Sequence, residues 1–182
     1  MRLDRFLLQH VFEPLGMKDT HFYVPREKAN RLATVYQPKP DGSGIEAAPR
    51  LNGMQSQGMY VEGPKISFSG GAGLISTAQD YARFLQMTLN GGELDGKRLL
   101  SRKSVELMTT NHIGDIPFRK GQGFGLGFSV VTDLGARGSL GSEGEYGWGG
   151  AYHSTYWVDP AERLVVVYLT QIRPAIGLND YE

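Results

Sequence analysis

The chain has 182 residues, no cysteine, and 19 lysine and arginine residues against 19 aspartate and glutamate residues. This length predicts one globular domain that can bury a core without disulfides or metals. Zero net charge gives no global attraction to nucleic acid or to an anionic membrane, and the lack of cysteine excludes a thiolate nucleophile.

No targeting or membrane-spanning segment is evident. The longest apolar run, Leu164–Leu169, is too short to cross a bilayer, and the N-terminus does not resemble a signal peptide. These features leave both a cytoplasmic and an exported location open.

The first predicted element is an amphipathic helix over roughly residues 2–12, because apolar residues recur there at helical spacing. Pro14 and Gly16 are expected to end it. No capping residue precedes this helix, so we expect the natural polypeptide to extend upstream of Met1.

Residues 24–69 are irregular and rich in proline and glycine, with short strands predicted only at Leu32–Tyr36 and Ile45–Ala47. A connection of this length usually forms a functional surface. A disordered linker is the alternative, but several large apolar residues argue against it: Leu51, Met54, Met59, Tyr60, Ile66 and Phe68.

A helix is predicted over residues 77–90, with Ser76 and Gln79 as its capping box. A tight turn at Asp95-Gly96 follows, and then a short helix from Ser101 to about Thr110.

The last third is rich in β-branched and aromatic residues. It predicts strands at Phe124–Thr132, Ala151–Val158 and Leu164–Leu169, the last two joined by a hairpin loop at Asp159–Glu162. Helices followed by antiparallel strands predict an α+β domain, with an antiparallel sheet flanked by helices.

Metal and nucleotide chemistry are not indicated. The four histidines are scattered without metal-ligand spacing. The turn Gly71–Ser76 is similar to a dinucleotide-binding loop but lacks its third glycine, so we expect a close-packed turn that feeds the next helix. We therefore predict no metal and no cofactor.

No complete motif for covalent catalysis is present either. The 182 residues contain no G-x-S-x-G, no S-x-x-K and no Y-x-N. A serine nucleophile requires an adjacent base, and none is evident.

The segment Glu145–Ala151 combines three glycines with two aromatic residues. We expect it to open the strand that runs to Val158. Glycines at a strand start allow close approach of a ligand and leave N–H groups free to stabilise an oxyanion. Trp148 could then form an apolar pocket wall. On spacing alone, a glycine bulge beside a core tryptophan is the favoured explanation.

Four stretches in order resemble the β-lactamase-like serine hydrolases, a family that includes class C β-lactamases, D-alanyl-D-alanine peptidases and carboxylesterases. The resemblance covers essentially the whole chain. The stretches are Phe12–Thr20, Ser69–Thr77 with Asp80-Tyr81 and Phe84-Leu85, Gly91-Gly92 with Leu99–Ser101, and Gly147–Gly150 with Trp157–Pro160.

The resemblance implies a partial β-lactamase/transpeptidase-like fold in which Trp148, Gly149 and Gly150 stand where relatives have K-T-G. The Ala151 N–H would be one oxyanion donor, and the nucleophilic serine's own N–H the other. The S-x-x-K and Y-x-N motifs would lie upstream of Met1, so residues 1–182 would be the C-terminal portion of a single domain. A helix that ends relatives after the last strand would also be absent.

Tryptophan in place of lysine is more similar to the family's esterases than to its β-lactamases. By position in the resemblance, four further residues could contact substrate: Tyr60, Phe68, Tyr146 and His153. Packing is the alternative for Tyr60, Phe68 and His153, and a place at a turn is the alternative for Tyr146.

The resulting hypothesis is a parent enzyme that hydrolyses small esters or amide-like acyl compounds through an acyl-serine intermediate, with this segment inactive alone. One alternative is a non-catalytic binding module derived from the same fold. Another is a true β-lactamase or D-alanyl-D-alanine peptidase relative. A third is a product that folds only with its complementary half, and that otherwise self-associates through exposed apolar surface.

Overall fold

The computed structural model describes residues 1–49, 59–62, 65–66 and 68–174. The expectations about Leu51 and Met54, and about a helix after the last strand, lie outside the described residues. The helical elements are α1 (Leu3–Leu7), a π-helical segment (Leu8–Phe12), α2 (Glu13–Leu15), a 3₁₀ helix (Arg26–Arg31), α3 (Met59–Glu62), α4 (Ala78–Leu89), α5 (Arg102–Met108) and α6 (Leu134–Arg137).

Five antiparallel strands between Gln122 and Tyr168 form the main sheet, and each pairs with the next along the chain. This arrangement confirms the predicted α+β class with an antiparallel sheet. The strands are β1 (Tyr36–Pro38), β2 (Ile45–Ala47), β3 (Glu93–Leu94), β4 (Lys97–Arg98), β5 (Gln122–Phe124), β6 (Ser129–Val131), β7 (Tyr146–Gly149), β8 (Thr155–Asp159) and β9 (Leu164–Tyr168).

The N-terminal helical segment is longer than predicted, because Pro14 lies within the first positions of α2. Pro14 directly follows Glu13, the C-cap residue of the π-helical segment. The helix ends at Gly16, which adopts the left-handed conformation with φ of 65°.

Helix α4 begins where the sequence predicts, but its cap is one residue later. The Thr77 side chain accepts a hydrogen bond from the Asp80 N–H, so Thr77 and not Ser76 is the capping residue. Ser101 caps α5 as predicted and accepts from the Ser104 N–H.

The prediction of a strand at Leu32–Tyr36 is wrong, because β1 begins only at Tyr36. The strand at Ile45–Ala47 is confirmed and pairs with β1 in a hairpin. Residues that belong to the irregular stretch also supply a 3₁₀ helix, Arg26–Arg31.

The predicted strand Phe124–Thr132 is in fact a hairpin of β5 and β6. Phe124 pairs with Ser129, and Gly127 between them has φ of 97°, a conformation that favours glycine. The reversal places Gly125 close to α5, where a Cβ would lie 2.1 Å from the Met108 carbonyl oxygen.

The predicted strand Ala151–Val158 is also divided. Residues 146–149 form β7, residues 150–154 form a turn, and β8 begins at Thr155. Gly147 pairs with Trp157, and a Cβ on Gly147 would lie 2.2 Å from the Tyr156 carbonyl oxygen. The glycine therefore permits the close pairing of the two strands, and Ala151 belongs to the turn between them.

Helix α4 is the centre of the core. Leu85 is fully buried and packs with Phe128, Tyr146 and Val158 of the sheet. Met87 faces the other way, toward a second cluster that contains Phe12, Leu15 and Met17. The helix thus joins the N-terminal segment to the sheet.

We predict that Leu85→Ala lowers the free energy of unfolding by about 2–5 kcal/mol, because Leu85 is 0% exposed and its loss leaves a cavity between α4 and the sheet. Urea denaturation followed by far-ultraviolet circular dichroism measures the change. Leu140→Ala is the matched control, since Leu140 is 97% exposed and its loss should cost no more than about 0.5 kcal/mol. Equal effects of the two substitutions would contradict the packing described here.

Candidate active site

A cavity of about 550 Å³ opens beside the β7–β8 hairpin. Its walls come from the segment 19–35, the turn 70–77 that precedes α4, and the hairpin itself. Most of the lining is apolar or aromatic, and it includes Val24, Leu32, Val35, Tyr60, Leu74, Ile75, Tyr81, Trp148, Gly149, Gly150, Ala151, Tyr152, Tyr156 and Leu169.

The position of α4 decides which sheet residues reach the cavity. Side chains two apart on a strand share one face of the sheet. Tyr146 lies beneath α4 and is buried, whereas Trp148 lies further along the same face and lines the cavity. The start of α4 forms the boundary, because the Tyr81 ring packs 4.9 Å from the Tyr156 ring there.

The turn between β7 and β8 holds the backbone of residues 150–154. The Gly150 N–H donates to the Ser154 carbonyl at 2.7 Å, and the His153 N–H donates to the Gly150 carbonyl at 3.1 Å. Within the described ranges the Ala151 N–H has no hydrogen-bond acceptor, and Ala151 is exposed at the cavity. This amide is therefore outside the strand ladder and able to donate to a ligand.

Nothing in the described part of the chain requires glycine at positions 149 and 150. A Cβ on Gly149 would lie 3.5 Å from the Ser154 carbonyl oxygen and one on Gly150 3.8 Å, both ordinary contact distances. Neither glycine has a positive φ. Both glycines line the cavity without a side chain, as expected where a ligand or a second chain approaches the backbone closely.

Trp148 is held by an aromatic cluster. Its ring stacks with Phe118 at 6.3 Å and meets Phe124 edge-on at 5.1 Å. The Arg119 guanidinium carbon lies 5.0 Å from the centre of the Trp148 ring. These contacts support one side of the ring with other aromatic rings and leave it 36% exposed.

The turn before α4 is a close-packed structural turn, as predicted. A Cβ on Gly73 would lie 2.5 Å from the Ser69 carbonyl oxygen and 3.0 Å from the Phe22 ring. Behind the turn, buried Asp80 accepts hydrogen bonds from the Asp19 N–H and the Thr20 hydroxyl, which ties the N-terminal segment to α4.

Five of the predicted site residues line the cavity, and three do not. Trp148, Gly149, Gly150, Ala151 and Tyr60 lie at its wall.

The three others are packed elsewhere. Tyr146 is 3% exposed, and its hydroxyl lies 2.8 Å from that of Thr88. His153 is 4% exposed, and Phe68 packs edge-on against Phe22 at 5.4 Å. The position of His153 follows from the turn between β7 and β8, which replaces the continuous strand expected there.

No sequence pattern predicted that charged residues would line the cavity. Asp19 accepts bidentate hydrogen bonds from Arg31 at 2.8 and 2.9 Å and a third from Lys28 at 2.7 Å. All three residues line the cavity. The two cations, Arg31 first, lower the pKa of the Asp19 carboxyl far below its usual range.

His21 also lines the cavity. Burial lowers the pKa of its imidazole from 6.5, so the ring is neutral at pH 7. Its Nε2 is inaccessible to solvent and has no hydrogen-bond partner within the part of the chain described.

Three tyrosines that line the cavity have raised phenol pKa values. Burial raises the pKa of the Tyr60, Tyr81 and Tyr156 phenols above 10. All three are neutral at pH 7 and are therefore poor bases.

The described residues contain no group of three histidine, aspartate or glutamate side chains that could hold a metal ion. No helix among them has the length and apolar character needed to cross a membrane.

A family model described as Beta-lactamase matches residues 1–181. An uncharacterised protein of Mycobacterium tuberculosis (strain CDC 1551 / Oshkosh) is 37% identical over 189 residues, which cover 97% of this chain and 45% of that protein. The chain belongs to the beta-lactamase family of serine hydrolases, and it spans less than half the length of this relative.

A second relative, from Escherichia coli O157:H7, carries the provisional name D-alanyl-D-alanine carboxypeptidase. It is 28% identical over 190 residues, covering 92% of this chain and 39% of that protein.

Solved structures confirm the fold. EstCE1, described as a hydrolase with promiscuous acyltransferase activity, superposes with a TM-score of 0.77 at 25% identity, covering 94% of this chain and 46% of that chain. Simvastatin synthase (LovD) from Aspergillus terreus superposes with a TM-score of 0.76 at 18% identity, covering 96% of this chain and 45% of that chain.

The raised phenol pKa values predict sensitivity to alkali. Burial, and then the neighbouring Tyr81, raise the pKa of Tyr156, so the folded protein keeps a proton that the unfolded chain loses above about pH 10. The free energy of unfolding therefore falls as pH rises beyond that value.

We expect Tyr156→Phe to reduce this alkaline slope by up to about 1.4 kcal/mol per pH unit. Urea denaturation at several pH values between about 8 and 11 measures it. Tyr36→Phe is the control, because Tyr36 is exposed and lies outside the cavity. An unchanged slope in Tyr156→Phe would contradict the burial of this phenol.

Proposed function

We propose that this chain supplies the oxyanion strand and one cleft wall of a serine hydrolase that cleaves small esters or amide-like acyl compounds through an acyl-serine intermediate. The observation that carries the proposal is the Ala151 N–H, which is unpaired within the described residues and exposed at the cavity. Membership of the beta-lactamase family supports the reaction class.

The attacking serine and its base are expected in polypeptide outside these 182 residues, because S-x-x-K and Y-x-N are both absent from the chain. The raised pKa values of Tyr60, Tyr81 and Tyr156 agree with this view, since none of these phenols is suited to accept a proton at pH 7. Residues 1–182 would then be the C-terminal portion of one hydrolase domain.

In acylation, the base would take the serine hydroxyl proton as the serine oxygen bonds to the acyl carbon and the carbonyl electron pair moves onto oxygen. The Ala151 N–H would donate to that oxyanion, as would the N–H of the serine itself. Collapse of the intermediate breaks the bond to the leaving group, which takes a proton, and water then repeats the sequence to release the acid.

The open space at Gly149 and Gly150 supports this geometry, because the carbonyl group must come close to the strand to reach the amide. The aromatic ring of Trp148, with Phe118 and Phe124 behind it, would contact the apolar part of the acyl compound. An aromatic residue at this position favours esters over substrates that need a cation there.

Ala151→Pro tests the oxyanion donor, because proline removes the N–H. In the full-length gene product, we expect kcat for 4-nitrophenyl acetate to fall by about 10²- to 10³-fold. Ala151→Ser keeps the N–H and should stay within about threefold of the wild type. Wild-type kcat in a folded Ala151→Pro enzyme, checked by circular dichroism, would refute the assigned donor.

A fluorophosphonate probe tests where the nucleophile lies. We expect the full-length product to be labelled once, at a serine outside residues 1–182, and the 182-residue chain to remain unlabelled. Peptide mapping by mass spectrometry identifies the labelled serine. Stoichiometric labelling within these residues would show that the nucleophile belongs to this chain. A full-length product that is never labelled would favour a non-catalytic binding module.

A further inference from the structure

Thr170 follows β9, and its side chain contacts the turn that carries the Ala151 N–H. The Thr170 hydroxyl donates to the Tyr152 carbonyl at 2.9 Å and to the His153 carbonyl at 2.9 Å. Both carbonyl groups belong to the two residues that come directly after Ala151. Because a hydroxyl has only one proton to donate, these two acceptors share it, and the contact restrains both carbonyl groups together.

Two further hydrogen bonds join the turn to the chain after β9. The Ser154 hydroxyl donates to the Thr170 carbonyl at 3.1 Å, and the Ile172 N–H donates to the Tyr152 carbonyl at 3.3 Å. Thr170 is half-buried, so water competes with its contacts less than it would at the surface. The turn is therefore attached to this part of the chain at three consecutive residues, 152–154.

Residues 170–173 are also held from their other side. The Tyr36 N–H donates to the Gln171 carbonyl at 2.7 Å, and the Tyr36 carbonyl accepts from the Arg173 N–H at 2.9 Å. A continuous set of hydrogen bonds thus runs from β1 through residues 170–173 to the turn. Thr170 is not among the described residues that line the cavity, so its hydroxyl can affect the site only through the turn.

The backbone of His153 shows why the turn depends on such contacts. His153 adopts the left-handed conformation with φ of 65°. This conformation is uncommon for residues other than glycine and persists where surrounding contacts determine it. The His153 N–H donates to the Gly150 carbonyl at 3.1 Å, and the His153 carbonyl accepts from Thr170. Both backbone polar groups of His153 are therefore bonded, two residues after Ala151.

We propose that Thr170 is a positioning residue, whose hydroxyl directs the Ala151 N–H toward the oxyanion by fixing the carbonyls of Tyr152 and His153. This inference rests on the proposed function and deepens it. Loss of the hydroxyl would let the turn relax, which misdirects the Ala151 N–H without removing it. A misdirected donor stabilises the transition state less and leaves substrate binding nearly unchanged.

Thr170→Val tests this role, because valine keeps the shape of the side chain and removes the hydroxyl. In the full-length gene product, we expect kcat for 4-nitrophenyl acetate to fall about tenfold or more, with KM within about twofold of the wild type. Thr170→Ser restores the hydroxyl and should recover kcat to within about threefold. Wild-type kcat in Thr170→Val would overturn the inference.

Thr110→Val is the matched control, since it makes the same chemical change far from the turn. The Thr110 hydroxyl donates to the Glu106 carbonyl at 2.7 Å, and Thr110 is exposed and outside the cavity lining that the structure describes. We expect its kcat to stay within about twofold of the wild type. An equal loss of kcat in Thr110→Val and Thr170→Val would contradict a specific role for Thr170.

A double-mutant cycle separates positioning from a general structural effect. If Thr170 acts through the Ala151 N–H, Thr170→Val should change kcat less than about twofold once Ala151→Pro has removed that N–H. Loss of kcat by the same factor in both backgrounds would show that Thr170 acts independently of the donor, and would overturn the assignment.

Hydrogen exchange separates this inference from the proposed function. The Gly150 and His153 N–H groups are both hydrogen-bonded within the turn. In the full-length product, we expect the peptide that spans residues 149–156 to exchange about fivefold faster or more in Thr170→Val, and at the wild-type rate in Thr170→Ser. The peptide that spans residues 78–89 should exchange equally in all variants.

A full-length product that cleaves no ester would refute the hydrolase proposal, and the exchange measurement then decides whether Thr170 fixes the turn. Faster exchange in Thr170→Val that is confined to residues 149–156 would support the inference. An unchanged exchange rate of that peptide would overturn it, whether or not the wild type is active.

Discussion

The close pairing of β7 with β8 is the constraint on which the site depends. Gly147 allows the two strands to approach, because any Cβ there would collide with the Tyr156 carbonyl oxygen. The pairing ends at Gly149 and Thr155, and a hydrogen bond from the Gly150 N–H to the Ser154 carbonyl closes the turn. The ladder therefore stops one residue before Ala151 would have to join it, which leaves that amide available.

Helix α4 buries one part of the β7–β8 hairpin and leaves another part exposed to the cavity. Leu85 covers the part of the sheet that holds Tyr146 and Val158. The helix does not extend far enough at its N-terminal end to cover Trp148. The same sheet face thus passes from a packed core into an open cavity. Asp80, at the start of the helix, holds the N-terminal segment as the opposite wall through the Asp19 N–H. Core packing and cavity shape consequently depend on one helix.

Family membership and the structure establish different properties of this chain. The match over residues 1–181 establishes the class of protein, whereas the chain spans 45% of the length of its Mycobacterium tuberculosis relative. The unpaired Ala151 amide and the space at Gly149 and Gly150 are properties of this chain itself. Under the proposed function, these two features would form one wall of the cleft.

The sequence by itself determined helices α4 and α5 and the α+β class, because periodicity and capping at residues such as Ser101 act between near neighbours. It did not reveal the reversals within 124–132 and 151–158, since a strand ends where its partner strand ends. Only the tertiary structure decided that Tyr146 is core, that His153 is buried, and that Arg119 rests on Trp148. Contacts between residues far apart along the chain leave no local pattern from which they could be inferred.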